Sequence, residues 1–301
     1  MKICVSNFNS VMKDVAEELV NRGHEIVRSV IHSDCVIIWN DVLYDMISHV
    51  KLAHRFKKPV ILIQHGRRGT SRYYPPFECE PISDKYCVWG ERDKKAMMEI
   101  GLDEKKIEIT GSAVFDYLKP RVPHKGINIV FSPEHWDHDV EENTLVAKAL
   151  RKIKGVNIIT KIIGGHDEKK YDNPVFSDRS KGKEHLDIVA DVLSKADIVV
   201  GISESTFELM AESLDIPVVI AKIWKFKPCA GDNRYLTYKR EYSDACKKVE
   251  DLKDLEKVIR QQLANPDELK AERKRVALED GGIGLPGNAL DKIIKVIETT
   301  K

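Results

Sequence analysis

At 301 residues the chain has room for two domains of ordinary size, each able to bury a core of its own. Its 49 Lys and Arg balance 48 Asp and Glu, and a net charge of +1 removes any global electrostatic reason to bind nucleic acid or an anionic membrane, leaving only local basic patches. Six cysteines (Cys4, Cys35, Cys79, Cys87, Cys229, Cys246) show no CxxC or other zinc-like spacing, which speaks for reduced core thiols.

The first half alternates short apolar strands with helical stretches. Strands are predicted at 2–6, 25–29, 35–39, 60–64, 86–89 and 106–110, and helices at 11–22, 44–56 and from 92 onward. The opening residues run straight into the first strand, and no apolar run approaches the roughly 18 to 20 residues of a membrane span or forms a signal peptide. Cytoplasm is the expected compartment. Residues 118–126, with Pro120, Pro123 and Gly126, break the pattern and read as an interdomain linker. A second series follows, with strands at 127–132, 156–162, 197–202 and 218–221 and helices at 143–152 and 185–195. The charged stretches 254–263 and 266–278 alternate acids and bases and read as a solvated helical cover, and a glycine-rich approach at 280–287 leads to a last helix at 289–297. Alternation of this kind predicts an α/β fold of two Rossmann-like lobes, 1–120 and 127–280, with a ligand cleft between them and the segment 281–301 returning to the first lobe.

The most informative stretch lies at 196–212. β-branched residues lead into Gly201, and Ser203, Ser205 and Thr206 stand where a helix begins. A helix start directs unpaired N–H groups and a positive dipole end at one spot, and hydroxyls add donors, so a phosphate fits there. An ordinary capped helix is the structural alternative.

Residues 89–96, 101–112 and Phe115-Asp116, together with Gln64-His65-Gly66, the loop 132–143, Ile159-Thr160-Lys161 and the unit 201–221, resemble GT-B-fold proteins in order and spacing. These include nucleotide-sugar glycosyltransferases, CDP-glycerol glycerophosphotransferases and the non-hydrolysing UDP-N-acetylglucosamine 2-epimerases. The resemblance implies that the C-terminal lobe holds a nucleotide-activated donor such as a UDP-sugar, with Ser203, Ser205 and Thr206 on the diphosphate. Glu208 and Glu212, four residues apart on one helix face, are its candidates for accepting ribose hydroxyls.

Charge must be supplied where a nucleoside diphosphate departs, and Lys161, at the end of a strand, is the preferred cation. In Ser132-Pro133-Glu134-His135-Trp136-Asp137-His138-Asp139, His135 or His138 is a candidate donor-phosphate ligand by resemblance to the epimerase loop, His135 being preferred. The same loop also reads as a divalent-ion site using His135, Asp137, His138 and Asp139, or as plain structure. In the first lobe His65 sits between the strand at 60–63 and two glycines, and an imidazole suits removal of an acceptor proton near neutral pH. Arg67, Arg68 and Arg72, with Tyr73 and Tyr74, form a basic and aromatic patch for an anionic or sugar acceptor.

The expected function is metal-independent, cofactor-free transfer of a glycosyl group from a nucleotide-sugar to an acceptor hydroxyl. The acceptor is left open among glycan, lipid, small molecule, protein and modified nucleic acid. The alternatives are transfer of a polyol phosphate from a CDP-activated donor, 2-epimerisation of a nucleotide-sugar, and nucleotide binding without catalysis.

Overall fold

The structure is a computed structural model that describes residues 1–6, 10–39, 44–64, 66, 82–99, 101–133, 141–163, 167–178, 181, 183–223, 243–282 and 287–300. The chain divides into two compact units. Met1–Asp116 and Leu278–Lys301 belong to the first, and Tyr117–Lys227 and Tyr242–Ala277 to the second.

The first unit runs β1 (Lys2–Val5), α1 (Ser10–Asn21), β2 (Glu25–Val27), β3 (Cys35–Ile38), α2 (Tyr44–Arg55), β4 (Val60–Ile63), β5 (Lys85–Val88), α3 (Glu91–Glu99) and β6 (Ile107–Ile109). Its six strands form one parallel sheet in the order β2-β1-β3-β4-β5-β6. β3 and β4 are buried along their whole length, which is why Cys-Val-Ile-Ile and Val-Ile-Leu-Ile are uninterrupted apolar runs instead of alternating ones.

The second unit runs β7 (Asn128–Ser132), α4 (Glu141–Leu150), β8 (Asn157–Ile162), β9 (Pro174–Phe176), α5 (Lys183–Ser194), β10 (Ile198–Gly201), α6 (Thr206–Ser213), β11 (Val218–Ala221), β12 (Cys246–Val249) and α7 (Leu255–Ala264). Its parallel sheet has the order β12-β11-β10-β7-β8-β9. The strand order therefore reverses between β7 and β10. Residues 118–126 are tied to this unit. The Val122 N–H donates to the Ser194 carbonyl at 2.8 Å, Lys119 pairs with Asp191 at 2.7 Å, and Arg121 pairs with Asp197 at 2.8 Å.

Two further α-helices among the described residues are α8 (Lys270–Gly281) and α9 (Ala289–Thr299). α9 packs against α1 in the first unit, with Arg22 on Asp291 and His24 on Glu298. Asp116 caps it from a distant point in the chain, accepting the Leu290 N–H at 3.0 Å and the Ala289 N–H at 3.4 Å. Burial raises the Asp116 carboxyl above its ordinary range, although the two backbone bonds oppose the shift. No helix among the described residues is long and apolar enough to cross a membrane.

Two strands, β9 and β12, are absent from the sequence expectation, and α8 starts later than the predicted 266. Nor is the charged stretch wholly a solvated cover: Arg273 in α8 is 1% exposed. The thiols of Cys4, Cys35 and Cys87 are free and buried, and that of Cys246 is buried with its Sγ 3.5 Å from the Ser243 carbonyl oxygen. Burial, aided by Asp34 and by Glu108 respectively, pushes Cys35 and Cys87 up to about 12. At pH 8 a thiol of that acidity is ionised in about one molecule in ten thousand. Iodoacetamide at pH 8 should therefore spare both cysteines in the native protein and modify them in urea, as read by peptide mass mapping. Labelling of either in the native protein would contradict their burial.

Candidate functional site

In a parallel sheet the strands deliver their loops to one edge, and the point where strand order reverses leaves a crevice outside their carboxyl ends. In the second unit that point is fixed by register. Gly201, the last residue of β10, pairs with Ser132, the last residue of β7. The turn from β10 into α6 therefore leaves from the reversal, with Ser203 buried and Ser205 and Thr206 partly exposed.

The start of α6 is a complete capping box. Ser205 is the N-cap in extended backbone, and its Oγ accepts the Phe207 N–H at 3.2 Å. Glu208 reaches back so that its carboxylate accepts the Ser205 N–H at 2.8 Å and the Ser205 hydroxyl as well. A Cβ at position 201 would stand 2.7 Å from Glu208 Oε1 and 3.0 Å from the Ser203 carbonyl oxygen, so glycine there leaves room for the Glu208 carboxylate to reach back. The sequence carried the sign of this cap, a Ser followed three residues later by Glu, and with it the reason that Glu208 is buried.

Lys161 is drawn to the same helix start from another element. It lies near the end of β8, beside β7, is 9% exposed, and holds its Nζ 5.4 Å from the centroid of the Phe207 ring. Lys161 is thus brought against Phe207, a side chain of the first turn of α6, the turn that carries the positive helix end. Phe207 is the member of this group that sequence reasoning missed. Its apolar character reads as core, and only the contact with Lys161 marks it out.

Glu212 is one turn further along α6 and faces a different group. Ser243 donates its N–H to Glu204 at 2.7 Å and its hydroxyl to both Glu204 and Glu212, the latter at 3.4 Å. Ligand-capable atoms of Glu204, Glu212 and Cys246 all lie within 4.8 Å of one another, so these three are the described residues that could hold a metal ion. The Ser243 hydroxyl between the two carboxylates already gives the group a hydrogen-bonded arrangement. Glu208 and Glu212 therefore share a helix face without sharing a partner.

His65, Arg67, Arg68, Arg72, His135, Asp137, His138 and Asp139 lie outside the described residues. What flanks His65 is well defined. Buried Gln64 donates from its side-chain amide to Asp93 at 2.6 Å and to the Gly66 carbonyl at 3.1 Å. Gln64 also accepts the Trp89 N–H on its side-chain oxygen and the Trp89 indole N–H on its main-chain carbonyl, both at 2.9 Å. Gln64 is thereby tied to Trp89, just past β5, and Gly66 to the Gln64 side chain.

No protein-family profile matches this sequence, and no curated protein is significantly similar to it. Solved structures are similar. A UDP-GlcNAc 2-epimerase from Methanocaldococcus jannaschii, in complex with UDP-GlcNAc and UDP, superposes with a TM-score of 0.63 at 14% identity, covering 100% of both chains. The UDP-GlcNAc 2-epimerase from Neisseria meningitidis bound to UDP-GlcNAc gives 0.62 at 13% identity, again over 100% of both chains. The wall teichoic acid polymerase TagF gives 0.63 at 13% identity, covering 99% of this chain and 88% of that one. The fold is GT-B-like, two α/β units each built on a six-stranded parallel sheet.

Proposed function

We propose that the chain binds a nucleotide-activated sugar through the β10–α6 turn of its second unit and transfers the glycosyl group to an acceptor hydroxyl. The observation that supports the reading best is the placement of Lys161 beside the start of α6, at the end of a sheet whose strand order reverses next to that turn. A diphosphate there meets an ammonium, the positive end of a helix and the hydroxyls of Ser203 and Thr206, and it gains the Ser205 hydroxyl only when that group leaves the Glu208 carboxylate. The named ligands of the structural neighbours, UDP-GlcNAc and UDP, are of this chemical kind.

In the proposed reaction the His65 imidazole takes the acceptor proton. The acceptor oxygen bonds to the anomeric carbon, and the carbon–oxygen bond to the diphosphate breaks with its electron pair leaving on phosphate. Lys161, His135 and the helix start balance that charge, so no metal is required. Arg67, Arg68 and Arg72 hold the acceptor. Ribose recognition by Glu208 or Glu212 requires either carboxylate to leave the partners described above, so this turn is assigned to the phosphates first.

The two epimerase neighbours favour a second reading, isomerisation of the nucleotide-sugar without an acceptor, and TagF favours a third, transfer from a CDP-activated polyol donor. Thermal-shift measurements with UDP-, GDP-, CDP- and dTDP-activated sugars and with CDP-glycerol test donor binding. A ligand at about 100 times its dissociation constant should stabilise the protein by about 2.7 kcal/mol. Lys161→Ala should weaken that ligand by about 10- to 100-fold, the worth of one charged hydrogen bond. Transfer releases nucleotide only when acceptor is present, whereas an epimerase equilibrates the sugar with no net release. Absence of any shift, or full affinity in Lys161→Ala, would remove the donor site from this turn.

A further inference from the structure

We propose that Gln64 is the positioning residue for His65, its hydrogen bonds holding the main chain on both sides of position 65. The role rests on the transfer reading above, in which His65 takes the acceptor proton, and it falls to a residue that the reading does not use. Gln64 follows β4, is 1% exposed, and has every polar group engaged. Its main-chain N–H donates to the Cys87 carbonyl at 3.0 Å, and its carbonyl accepts the Trp89 indole N–H at 2.9 Å. Its side-chain oxygen accepts the Trp89 main-chain N–H at 2.9 Å, while the amide nitrogen donates to Asp93 at 2.6 Å and to the Gly66 carbonyl at 3.1 Å. The amide can stand only this way round, because a carboxylate accepts and a main-chain N–H donates.

Four of these bonds tie Gln64 to β5 and to the residues that follow it, Trp89 and Asp93. The fifth turns back along the chain and spans position 65. The Gln64 carbonyl belongs to the planar peptide group that leads into residue 65, and the Trp89 indole holds it. The Gly66 carbonyl lies just past residue 65, and the Gln64 amide holds that one. A side chain that leaves from a main chain fixed before and after it starts from a set direction, which is what a proton-taking group requires. Misplacement of a reacting group by about 1 Å costs on the order of 100-fold in rate. Glutamine suits the place because one nitrogen carries two N–H groups, so the anchor on Asp93 and the hold on Gly66 come from a single atom.

Exchanging the two polar partners tests this. In the double variant Gln64→Glu with Asp93→Asn, the amide at position 93 donates to the carboxylate at position 64, the Trp89 N–H keeps an acceptor and the net charge is unchanged, but Gly66 loses the donor from position 64. Acceptor-dependent nucleotide release is measured with UDP-, GDP-, CDP- and dTDP-glucose, each with glycerol, glucose and N-acetylglucosamine as acceptors. The double variant should keep the urea midpoint of the wild type and its calorimetric donor affinity, while kcat falls by about 10- to 100-fold. In a His65→Ala background the same exchange should change kcat by less than about 2-fold, because there is then no base to misplace. An unchanged kcat, the same factor in both backgrounds or a collapsed midpoint makes Gln64 a fastening between β4 and β5 alone, which overturns the role and leaves His65 standing. Full turnover in His65→Ala removes the base on which the role depends. A wild type that releases nucleotide with none of these pairs overturns the transfer reading and this role with it.

Discussion

Gly90→Ala is expected to cost about 3 kcal/mol or more in urea unfolding, far beyond an ordinary glycine replacement. A Cβ at Gly90 would stand 2.0 Å from the Glu279 carbonyl oxygen and 2.7 Å from its carbon, and both are backbone atoms that cannot rotate away. The approach is reciprocal, since a Cβ at Gly282 would meet the Trp89 carbonyl oxygen at 2.2 Å, and Gly282 also has φ +65°. Arg92 and Asp280 close the same contact with an ion pair at 2.6 Å, Asp280 being 4% exposed. The variant must lift the end of α8 off the Trp89–Gly90 backbone, so hydrogen exchange should quicken over residues 278–282. Gly23→Ala is the control: its φ of +84° has nothing within 4 Å of the added carbon, so only backbone strain of about 1 to 2 kcal/mol applies. Equal losses in the two variants would show that the close approach is not what holds the C-terminal segment to the first unit.

That contact was invisible in the sequence for a physical reason. Gly90 sits between a strand and a helix, where glycine has many explanations, and its partner lies about 190 residues away, beyond the reach of any local pattern. Where the driving force is local, the sequence was legible. Val-Ile-Leu-Ile at 60–63 and Ile-Val-Val-Gly at 198–201 are strands because they are buried on both faces. The strands that went unread are at sheet edges, where burial is partial. β12 is Cys-Lys-Lys-Val with Lys248 exposed, and β9 opens on Pro174 with Phe176 exposed. Lysine and proline are what an edge strand tolerates and what a pattern search rejects.

The candidate site divides along the same line. The helix start after Gly201 was legible because strand, turn and hydroxyls are contiguous, and the place of Lys161 because it lies near the end of an apolar strand run. Their meeting at Phe207 was not, since it depends on β8 and β10 flanking β7 in a sheet whose order is not the chain order. Glu208 stands in two sequence relations at once. Its i, i+4 relation to Glu212 suggested a shared face for a ribose, while the closer relation to Ser205 made it the helix's own cap. A carboxylate three residues past an N-cap Ser is claimed first by the nearest unpaired N–H.

Asp215→Asn is expected to destabilise the second unit more than Arg273→Met, although the two residues form one pair. Arg273 donates through Nε at 2.9 Å and Nη2 at 2.6 Å to Asp215 Oδ1, and Nη2 also reaches the Pro266 carbonyl at 2.6 Å. The pair joins α8 to the residue just past α6, on the opposite end of that helix from the capping box. Its two sides differ in burial: the guanidinium is 1% exposed and the carboxylate 41%. Taking the charge from Asp215 strands a buried cation, at a cost of about 2 to 4 kcal/mol, whereas Arg273→Met leaves a carboxylate that water and Lys270 still serve, at about 1 to 2 kcal/mol. Asn is the suitable replacement because Asp215 has φ +57°, which Asn tolerates, so backbone strain does not enter the comparison. The pH dependence gives the sign. Burial alone would raise the Asp215 carboxyl, but the hydrogen bonds and charges of Arg273 and Lys270 outweigh it and hold the group below its ordinary 3.8. A carboxylate depressed in the folded state contributes its stability in full above the unfolded value and loses it as pH falls through the folded one. The gap in urea midpoint between wild type and Asp215→Asn should therefore be constant at neutral pH and close below about pH 4. A gap unchanged at pH 3, or a larger loss in Arg273→Met, would mean that the buried guanidinium does not depend on this carboxylate.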